Sequence, residues 1–530
     1  VVLNAYRLHD SERALELALR INMPGLWLAQ VALTVIYTQL EQMDQAGTAL
    51  RNLLDLRPDF RAIARQELSK WWEPEMVEQM LGDLRKAGLD VTGRADQAPT
   101  STFTTPARST SGETRATVRE GEGFWVGVLP FKYAGSNEDL KALADGLTED
   151  ITTGLSRFSY IKVIARSTAD RHGSGPVDVR SAGKELGARF VMEGSLRQSG
   201  NKLRLAVQLV DTMRGSHVWA ETYERSFNPE ALFDLQDELV PRIVSTVADA
   251  HGILPHTLGE SVRSKSPEQL SPYEAVLRGF SYAERISPEE HAITRDALER
   301  AVQLAPTYAY AWAMLSLIIK DEFEFGFNPK PDPLDRMLQA ARRAVELDFS
   351  GHRGFQALAV AHFNRKEVQA FRTAADRAIA LNPMDGCNLA HIGALIAYAG
   401  EWERGCNIVE RALQLNPNHP GWFWFPLAFN AYRRGDYTGA LTYGLKINLP
   451  NFLWTHLVQA AIYGQLGQHE EAAKAVQELR RLNPHIEQVV KAGSQRLFDP
   501  ELTRQLLDGL RKAGLEIPDS QEIASEKITG

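Results

Sequence analysis

Prolines recur at a nearly constant interval in the last third of this 530-residue chain. Pro383, Pro417, Pro450 and Pro484 each follow a short apolar segment such as "IALNP" or "LQLNP", and successive prolines lie 34, 33 and 34 residues apart. A fixed period of this size indicates stacked supersecondary units. Such units cannot bury their apolar faces alone, so the period predicts an extended array in which neighbours stabilise one another.

Small residues occur inside each period where two helices would have to approach closely. They fall at Gly393, Ala428 and Ala460 in the first helix of a unit and at Gly405, Ala440 and Ala472 in the second. A period of about 34 residues with two antiparallel helices is the signature of tetratricopeptide (TPR) repeats. We therefore expect an α-helical TPR solenoid of about six units over residues 271–515, with a Pro-rich insertion near Phe327.

The beginning of the chain repeats its end. The six residues "LRKAGL" at Leu84 recur at Leu510, and a shift of 426 positions makes 31 of the 86 residues from Asn4 to Leu89 identical. Shared helical composition does not produce that agreement, so the segment is a duplication. Residues 1–90 are thus predicted to be TPR-like repeats, the end of a preceding array. Because the first residue is Val1, we also expect the natural start to lie upstream.

Residues 91–122 have a different composition. Eleven of these 32 residues are Ser or Thr, and Phe103 is the only aromatic residue. A segment of this kind cannot bury enough apolar area to offset the entropy lost on ordering, so it is predicted to be a flexible linker.

Residues 123–255 combine strand and helix patterns. The runs "FWVGVLPF" and "IKVIAR" predict buried strands, and "EDLKALADGLTEDITTGLSRF" between them has a helical stripe. A second helix over "DVRSAGKELGA" has Asp178 as its expected cap. Two strands around Ser199-Gly200-Asn201 form a predicted hairpin, followed by a strand over "SHVWAETYER" and a closing helix. The order β-α-β-α-β-β-β-α predicts one small mixed α/β domain.

Three blocks of this domain carry a family resemblance. "ADGLTEDI", "LGARFVMEGSLR" and "GSHVWAETYER" resemble the TolB amino-terminal-like domain, in the version that bacteria fuse to TPR arrays. The later segments "LNPMDG" and "LNPNHPGW" resemble the array that follows it. In such proteins the pair lies downstream of a class III adenylate or guanylate cyclase, a serine/threonine kinase or a winged-helix DNA-binding module. The resemblance therefore implies an output module upstream, although this sequence contains no HRD, DFG or glycine-rich nucleotide loop after a strand.

These patterns divide the chain into five predicted parts. They are TPR-like repeats at 1–90, a linker at 91–122, a TolB amino-terminal-like domain at 123–255, a TPR array at 256–519 and a tail at 520–530.

The net charge of −8 argues against a large nucleic-acid interface, which would be basic. Two cysteines in 530 residues, without a CxxC pair, fit a reduced compartment. The sequence contains no run of eighteen apolar residues of the kind that would predict a membrane-spanning helix.

Three patterns that could indicate chemistry have simpler interpretations. "GEGFWVG" at Gly121 precedes a strand, whereas a phosphate-binding loop follows one. Asp145 and Glu149 lie four residues apart on one helical face, which is typical of a solvated helix, and no nucleophile accompanies them. Three histidines in different repeats have no metal-ligand spacing; they are His362, His391 and His419. We therefore predict no catalytic, cofactor-binding or metal-binding residues.

One stretch has the composition of an interaction site. In "PGWFWFPLAFNAYRRGDY" the expected first helix of a repeat carries an aromatic stripe with an arginine at its edge, formed by Trp422, Phe425, Phe429, Tyr432 and Arg433. Aromatic residues and arginine dominate binding hot spots, so the stripe is a candidate protein- or peptide-binding surface. The alternative is that the rings pack between neighbouring repeats, as helical aromatic stripes commonly do.

The sequence thus favours a non-catalytic scaffold for protein–protein interaction, with a peptide or protein held by the TPR array and the α/β domain as a sensing or relay module. The alternative is the regulatory half of a class III adenylate cyclase or a serine/threonine kinase whose catalytic domain lies upstream. A DNA-binding module upstream is the third possibility. We expect a cytoplasmic location, and a periplasmic one stays open if a membrane anchor precedes Val1.

Overall fold

The computed structural model describes residues 6–7, 10–21, 27–69, 74–90, 124–164, 179–282 and 285–517. The chain divides into two compact units, residues 1–114 and 115–530, and each is presented by itself. The predicted linker, the predicted cap Asp178, the "GEG" at Gly121 and the predicted tail all lie outside the described residues.

The first unit is a set of short helices. They are α1 Ser11–Ile21, α2 Trp27–Gln39, α3 Met43–Leu56, α4 Phe60–Leu68 and α5 Pro74–Lys86. Helices α2 and α3 form an antiparallel pair across the turn at Leu40–Gln42, and Trp27 and Phe60 meet in the core with ring centroids 5.4 Å apart. The described residues of this unit form helices joined by turns, without a strand among them.

The duplicated segments keep one tyrosine buried in different surroundings. Tyr6 in the first unit donates from its hydroxyl to Asp83 Oδ2 at 2.6 Å. Its equivalent Tyr432 donates to the Gln505 carbonyl oxygen at 2.9 Å. The position equivalent to Asp83 is Gly509, where an added Cβ would come within 2.2 Å of the Tyr432 hydroxyl oxygen. The second copy therefore satisfies the same hydroxyl with backbone instead of a carboxylate.

A mixed sheet forms the centre of the α/β domain. In the described residues its strands are β1 Trp125–Val128, β2 Lys132–Tyr133, β3 Lys162–Val163, β4 Phe190–Ser199, β5 Lys202–Asp211 and β6 Ser216–Ser226. The order is β3-β1-β4-β5-β6, with the short β2 beside β4. The first four strands pair in parallel and β4-β5-β6 pair antiparallel. Gly200, at φ +58°, begins the predicted two-residue turn between β4 and β5, a conformation that favours glycine.

Among the described residues, three helices complete this domain and a fourth leads away from it. They are α6 Glu138–Ser156, α7 Val179–Leu186, α8 Leu232–Ala248 and α9 Ile253–Val262. The Thr148 hydroxyl of α6 accepts from the Phe131 backbone N–H at 3.0 Å and so ties the helix to the sheet. The described elements follow the predicted order. The two-residue strand β2 is an addition that the sequence did not predict.

Pairs of antiparallel helices make up the rest of the second unit. They are α10 Pro272–Tyr282, α11 Pro288–Leu304, α12 Ala309–Glu324, α13 Pro333–Leu347, α14 His352–Asn364, α15 Val368–Leu381, α16 Gly386–Tyr398, α17 Trp402–Leu415, α18 Phe425–Arg433, α19 Tyr437–Gly444, α20 Leu453–Leu466, α21 His469–Leu482, α22 Ile486–Leu497 and α23 Pro500–Lys512. The second unit therefore combines a helical, TPR-like array with one small mixed α/β domain, as the sequence predicted.

The small residues of the repeat lie where the helices of a pair touch. An added Cβ at Gly405 of α17 would come within 2.5 Å of both the Ala397 backbone nitrogen and the Gly393 carbonyl oxygen of α16. Ala428, Ala440 and Ala460 are fully buried at equivalent contacts. Close packing of two backbones leaves no room for a larger side chain, and this is the physical reason for the small residues in the period.

The α/β domain and the array share an interior. Tyr160, which follows α6, packs against Phe280 of α10 and Tyr310 of α12 with ring centroids 5.0 and 5.9 Å away. Beyond α8, both carboxylate oxygens of Asp249 accept from the Asn416 amide at the end of α17, at 3.2 and 3.0 Å. These contacts hold the C-terminal end of α8 against the repeats.

Candidate ligand-binding cavity

The first helices of successive pairs line one cavity of about 700 Å³. Its wall takes residues from α10, α12, α14, α16 and α18, from the segment 449–454 before and within α20, and from the end of α22. Ala250 and His251 of the α/β domain also reach the wall. The inner face of a helical array is the surface that repeat proteins use for binding.

Three of the five residues predicted to form an interaction site line this cavity. Trp422 is half-buried in a short 3₁₀ turn, and Phe425 and Phe429 follow on α18 with 7% and 2% of their surface exposed. The two phenylalanine rings stack with centroids 5.9 Å apart. These side chains therefore both pack against neighbours and form part of the cavity wall, so the two interpretations of the stripe are compatible for them.

The other two residues lie away from the cavity. Tyr432 is fully buried and is held by Gln505, as described above. The Arg433 guanidinium lies over the Trp402 ring, 5.0 Å from its centroid, and donates from Nε to Asn430 Oδ1 at 3.0 Å. Both side chains support helix packing and do not face the space that Trp422 borders.

Three further aromatic residues complete this part of the wall. Phe452 lies 6.0 Å from Phe425, Phe498 lies 4.6 Å from Phe429, and Trp454 lies 5.9 Å from Phe498, measured between ring centroids. Sequence reasoning missed them because they come from the next two repeats. We call the six residues Trp422, Phe425, Phe429, Phe452, Trp454 and Phe498 the aromatic wall.

The polar part of the cavity is centred on a buried arginine. Arg353 donates from Nε to the Tyr310 hydroxyl at 3.0 Å and from Nη1 to Gln356 Oε1 at 2.5 Å. Its Nη2 lies 3.8 Å from Asp385 Oδ2 and makes no hydrogen bond to any described residue. Burial alone would lower the pKa of Arg353, but the oxygens of Tyr310 and Asp385 outweigh it and raise the pKa.

A histidine connects this arginine to the aromatic wall. His391 Nδ1 lies 3.2 Å from Gln356 Nε2, and the His391 ring meets Trp422 edge-on at 6.2 Å between centroids. Burial first, and then the charges of Lys320 and Arg353, lower the pKa of His391 to about 3. The imidazole is therefore neutral at physiological pH.

The remaining charged side chains of the cavity lie close to opposite charges. Lys320 lies 2.5 Å from Asp321 and 3.2 Å from Glu324, and the Asp321 carboxylate also accepts from the Tyr282 hydroxyl at 2.6 Å. Burial would lower the pKa of Lys320, but the two carboxylates outweigh it and raise the pKa. Arg285 lies 3.2 Å from Glu260.

The other candidates from the sequence stay apart from the cavity, except His391. Asp145 and Glu149 are exposed on α6, and the neighbouring Asp150 accepts from Gln236 Nε2. In the part of the chain that the structure describes, no group of three His, Cys, Asp or Glu side chains is arranged to hold a metal ion. Among the described helices, none combines the length and apolar character needed to cross a membrane.

The sequence is similar to known proteins over part of its length. The family model for the second domain of HilA/YgeH-like transcriptional regulators matches residues 123–265. The putative adenylate cyclase 3 of Rhizobium meliloti (strain 1021) is 34% identical over 239 residues, 44% of this chain and 40% of that protein. The chain thus spans less than half the length of this curated relative. The family match bears a different description from the TolB resemblance, which stays a prediction.

Solved structures with some likeness cover between 43% and 99% of the chain. The Pseudomonas aeruginosa pilF protein is 16% identical with a TM-score of 0.29, covering 43% of this chain and 94% of its own. The APC/C hetero-tetramer Cut9-Hcn1 is 12% identical with a TM-score of 0.37, covering 96% and 82%. Yeast Tom70 is 12% identical with a TM-score of 0.29, covering 99% and 92%. Scores of this size add nothing to the helix pairs described above.

Proposed function

We propose that this chain is a non-catalytic interaction module, in which the TPR array captures a protein or peptide partner and the α/β domain senses or relays that event. The observation that carries the proposal is the shared cavity: the first helices of successive pairs present one aromatic wall to a common space. Clustered aromatic side chains in a concave site are the anchors that dominate binding energy.

The α/β domain is suited to a relay role by its position. The segment after α8 reaches the cavity through His251, whose ring lies 6.1 Å from Trp422 between centroids. The same segment is fixed to the array through Asp249 and Asn416. A partner that moves Trp422 would thus act directly on the end of the α/β domain. We retain the TolB amino-terminal-like assignment for this domain as part of the proposal.

Truncation of the wall tests partner capture. The variants Trp422→Ala and Phe425→Ala/Phe429→Ala are compared with wild type in affinity purification from cells of the source organism, with quantification of each retained protein. The matched control is Phe233→Ala, which truncates an 81% exposed phenylalanine on α8 outside the cavity. We expect specific partners to be lost from both wall variants and kept by the control. If folded wall variants retain the same partners, the aromatic wall is not the binding site.

The second candidate is the regulatory part of an adenylate cyclase. The 34% identity to the putative cyclase of Rhizobium meliloti favours it, and the match to a transcriptional-regulator domain makes a DNA-binding output the further possibility. On this proposal the purified chain forms no cyclic AMP from ATP and Mg²⁺, because catalysis belongs to another domain. Cyclic AMP production by the chain alone would contradict the non-catalytic assignment.

We place the module in the cytoplasm. Cys387 and Cys406 are both free and buried, which fits a reducing compartment. Fractionation of the source cells tests the location, and recovery with the periplasmic proteins would contradict it.

A further inference from the structure

Distant repeats of the array contact each other across its inner face, and these contacts enclose the cavity. Phe325, just after α12, packs edge-on against Phe452 before α20, with ring centroids 5.5 Å apart. Arg496 of α22 donates from Nη1 to the Phe323 carbonyl oxygen at 2.8 Å. Phe325 and Phe452 both line the cavity. An extended peptide lying along the whole inner face would have to separate these contacts, whereas a compact molecule would not.

The dimensions of the space fit a small molecule. A cavity of about 700 Å³ lies inside the range of roughly 300 to 1,000 Å³ that small-molecule sites occupy. Such sites are mainly apolar and contain a few convergent polar groups that fix the orientation of the ligand. The aromatic wall provides the apolar part.

The polar groups beside this wall offer donors to a ligand. Because Gln356 Oε1 accepts from Arg353, the Gln356 amide nitrogen is the atom that faces His391 Nδ1 and donates to it. A neutral imidazole that accepts at Nδ1 carries its proton on Nε2. His391 lines the cavity, and its Nε2 makes no hydrogen bond to any described residue. The Nε2–H group is therefore a donor without a protein acceptor.

Arg353 supplies a second donor of the same kind. Its Nη2 is buried without a hydrogen-bond acceptor among the described residues, and its nearest carboxylate, Asp385, lies at 3.8 Å and already accepts from His352 Nε2 at 2.8 Å. A buried charged donor left unsatisfied is costly, so an acceptor that enters the cavity would be bound favourably.

The acidic groups of the cavity already have partners within the protein. Glu290 lies 2.8 Å from Arg278 Nη2, and the carboxylates of Asp321 and Glu324 flank Lys320. Each of these carboxylates thus already accepts from protein donors, which for Asp321 include the Tyr282 hydroxyl and for Glu324 the Asn364 amide. The two unpaired side-chain atoms identified among the described cavity residues, Arg353 Nη2 and His391 Nε2, are both donors, and a ligand that pairs with them must supply acceptors.

We propose that the cavity binds a free small molecule with an apolar body, which packs on the aromatic wall, and a terminal carboxylate, which accepts from Arg353 and His391. The inference rests on the proposed function in treating the array as a binding module, and it differs from it in assigning the cavity itself to a small ligand instead of a protein or peptide. The His391 ring contacts Trp422, so the donor and the apolar wall are neighbours in the cavity. The carboxylate of the ligand would therefore lie close to its apolar body. A carboxylate is favoured over a neutral acceptor because it offers two oxygens to two donors, one of them charged.

Three probes of equal size separate the possible ligand classes. They are 4-phenylbutyrate, 4-phenylbutan-1-ol and 4-phenylbutylamine, titrated into the full chain by isothermal calorimetry at pH 7. We expect the carboxylate to bind at least about tenfold more tightly than the alcohol, since hydrogen bonds to charged groups are worth more than neutral ones, and the amine to bind most weakly. Equal affinity for acid and alcohol, tighter binding of the amine, or no binding of the acid at millimolar concentration would each overturn the proposal.

Two variants connect the binding to the named residues. His391→Phe keeps a ring against Trp422 and removes the donor, so it is expected to weaken 4-phenylbutyrate about tenfold and to leave the alcohol within about twofold. Trp422→Ala is expected to weaken both, and Phe233→Ala neither. Equal weakening of acid and alcohol in the His391 variant would contradict the assigned donor.

The outcome is separable from that of the partner-capture test. Loss of partners from the Trp422 variant without any probe binding would leave the interaction module standing and assign the cavity to a partner's peptide instead. Probe binding with unchanged partner capture would support the small-molecule site and place partner contacts elsewhere.

Discussion

Asp249 is a carboxyl group that is completely enclosed where the α/β domain meets the array. It accepts from the Ser245 hydroxyl at 2.9 Å, from the His251 backbone N–H at 2.8 Å and from the Asn416 amide. Burial first, and then the carboxylate of Asp385, raise its pKa to about 7, against the effect of the hydrogen bonds from Asn416 and Ser245. Near neutral pH this junction therefore contains a carboxyl group that is only partly ionised.

The raised pKa predicts a pH-dependent contribution to stability. The unfolded chain loses the Asp249 proton near its ordinary pKa of 3.8, whereas the folded chain holds it to about pH 7. The contribution is thus fully present below about pH 4 and is lost as the pH rises to about 7, by an amount on the order of a few kcal/mol. Asp249→Asn cannot ionise, so we expect its free energy of unfolding to rise relative to wild type across this window.

Denaturant unfolding at a series of pH values measures this difference. The control is Asn416→Ala, which removes hydrogen bonds to Asp249 but keeps the ionisable group, so its curve should still fall with pH; because those bonds lower the Asp249 pKa, the fall should extend to higher pH than in wild type. A constant difference between Asp249→Asn and wild type from pH 4 to pH 8 would show that the carboxyl group titrates normally in the folded protein.

The helix pair is the element that the sequence predicts most completely. The proline period and the small residues follow from the geometry of two helices that pack closely and are joined by a turn. Both patterns can therefore be recognised within the sequence of a single repeat. Trp422, Phe425 and Phe429 could be found for the same reason, because they share one helical stretch. Tyr432 and Arg433 lie on that stretch as well, but the register of the stripe does not reveal that the cavity ends before them.

The polar half of the site is not visible in the sequence. Arg353 and Gln356 lie on α14 and His391 on α16, in different repeats, and each is one polar residue among many in its own helix. Phe452 and Phe498 join the wall only because the array brings its later repeats against α12 and α18. That curvature is the sum of small rotations between repeats, which local patterns do not encode.

The close contact between α16 and α17 gives a prediction at this scale. In Gly405→Ala the new methyl group meets backbone atoms at 2.5 Å, so the two helices must separate, at a cost of about 1–3 kcal/mol. The matched control is Gly493→Ala on α22, where the nearest heavy atom, in Trp454, lies at 3.8 Å. That change should be neutral or stabilise by up to about 1 kcal/mol through helix propensity. Thermal unfolding measures the stability of both variants relative to wild type. If Gly405→Ala is as stable as Gly493→Ala, the contact between α16 and α17 is not as tight as described.

The second unit combines the α/β domain and the array into one body around the cavity. Tyr160 packs among aromatic side chains of the repeats, Asp249 holds the end of α8 against the array by hydrogen bonds, and His251 lines the cavity. The composition of residues 123–255 predicted a separate small domain, and its elements are as expected. Its contribution to the cavity could not be foreseen, because it depends on where the end of α8 meets the repeats in space.

A crosslink from the cavity tests the central claim that this wall receives the partner. The photoreactive residue p-benzoylphenylalanine replaces Trp422 in one version of the full chain and the exposed Phe233 in another, and both are irradiated in the source cells. Covalent products are then separated and identified. The account predicts a defined product from position 422 that is absent from position 233 and decreases when the wall is truncated at Phe425. The same products from both positions, or none from position 422, would contradict it.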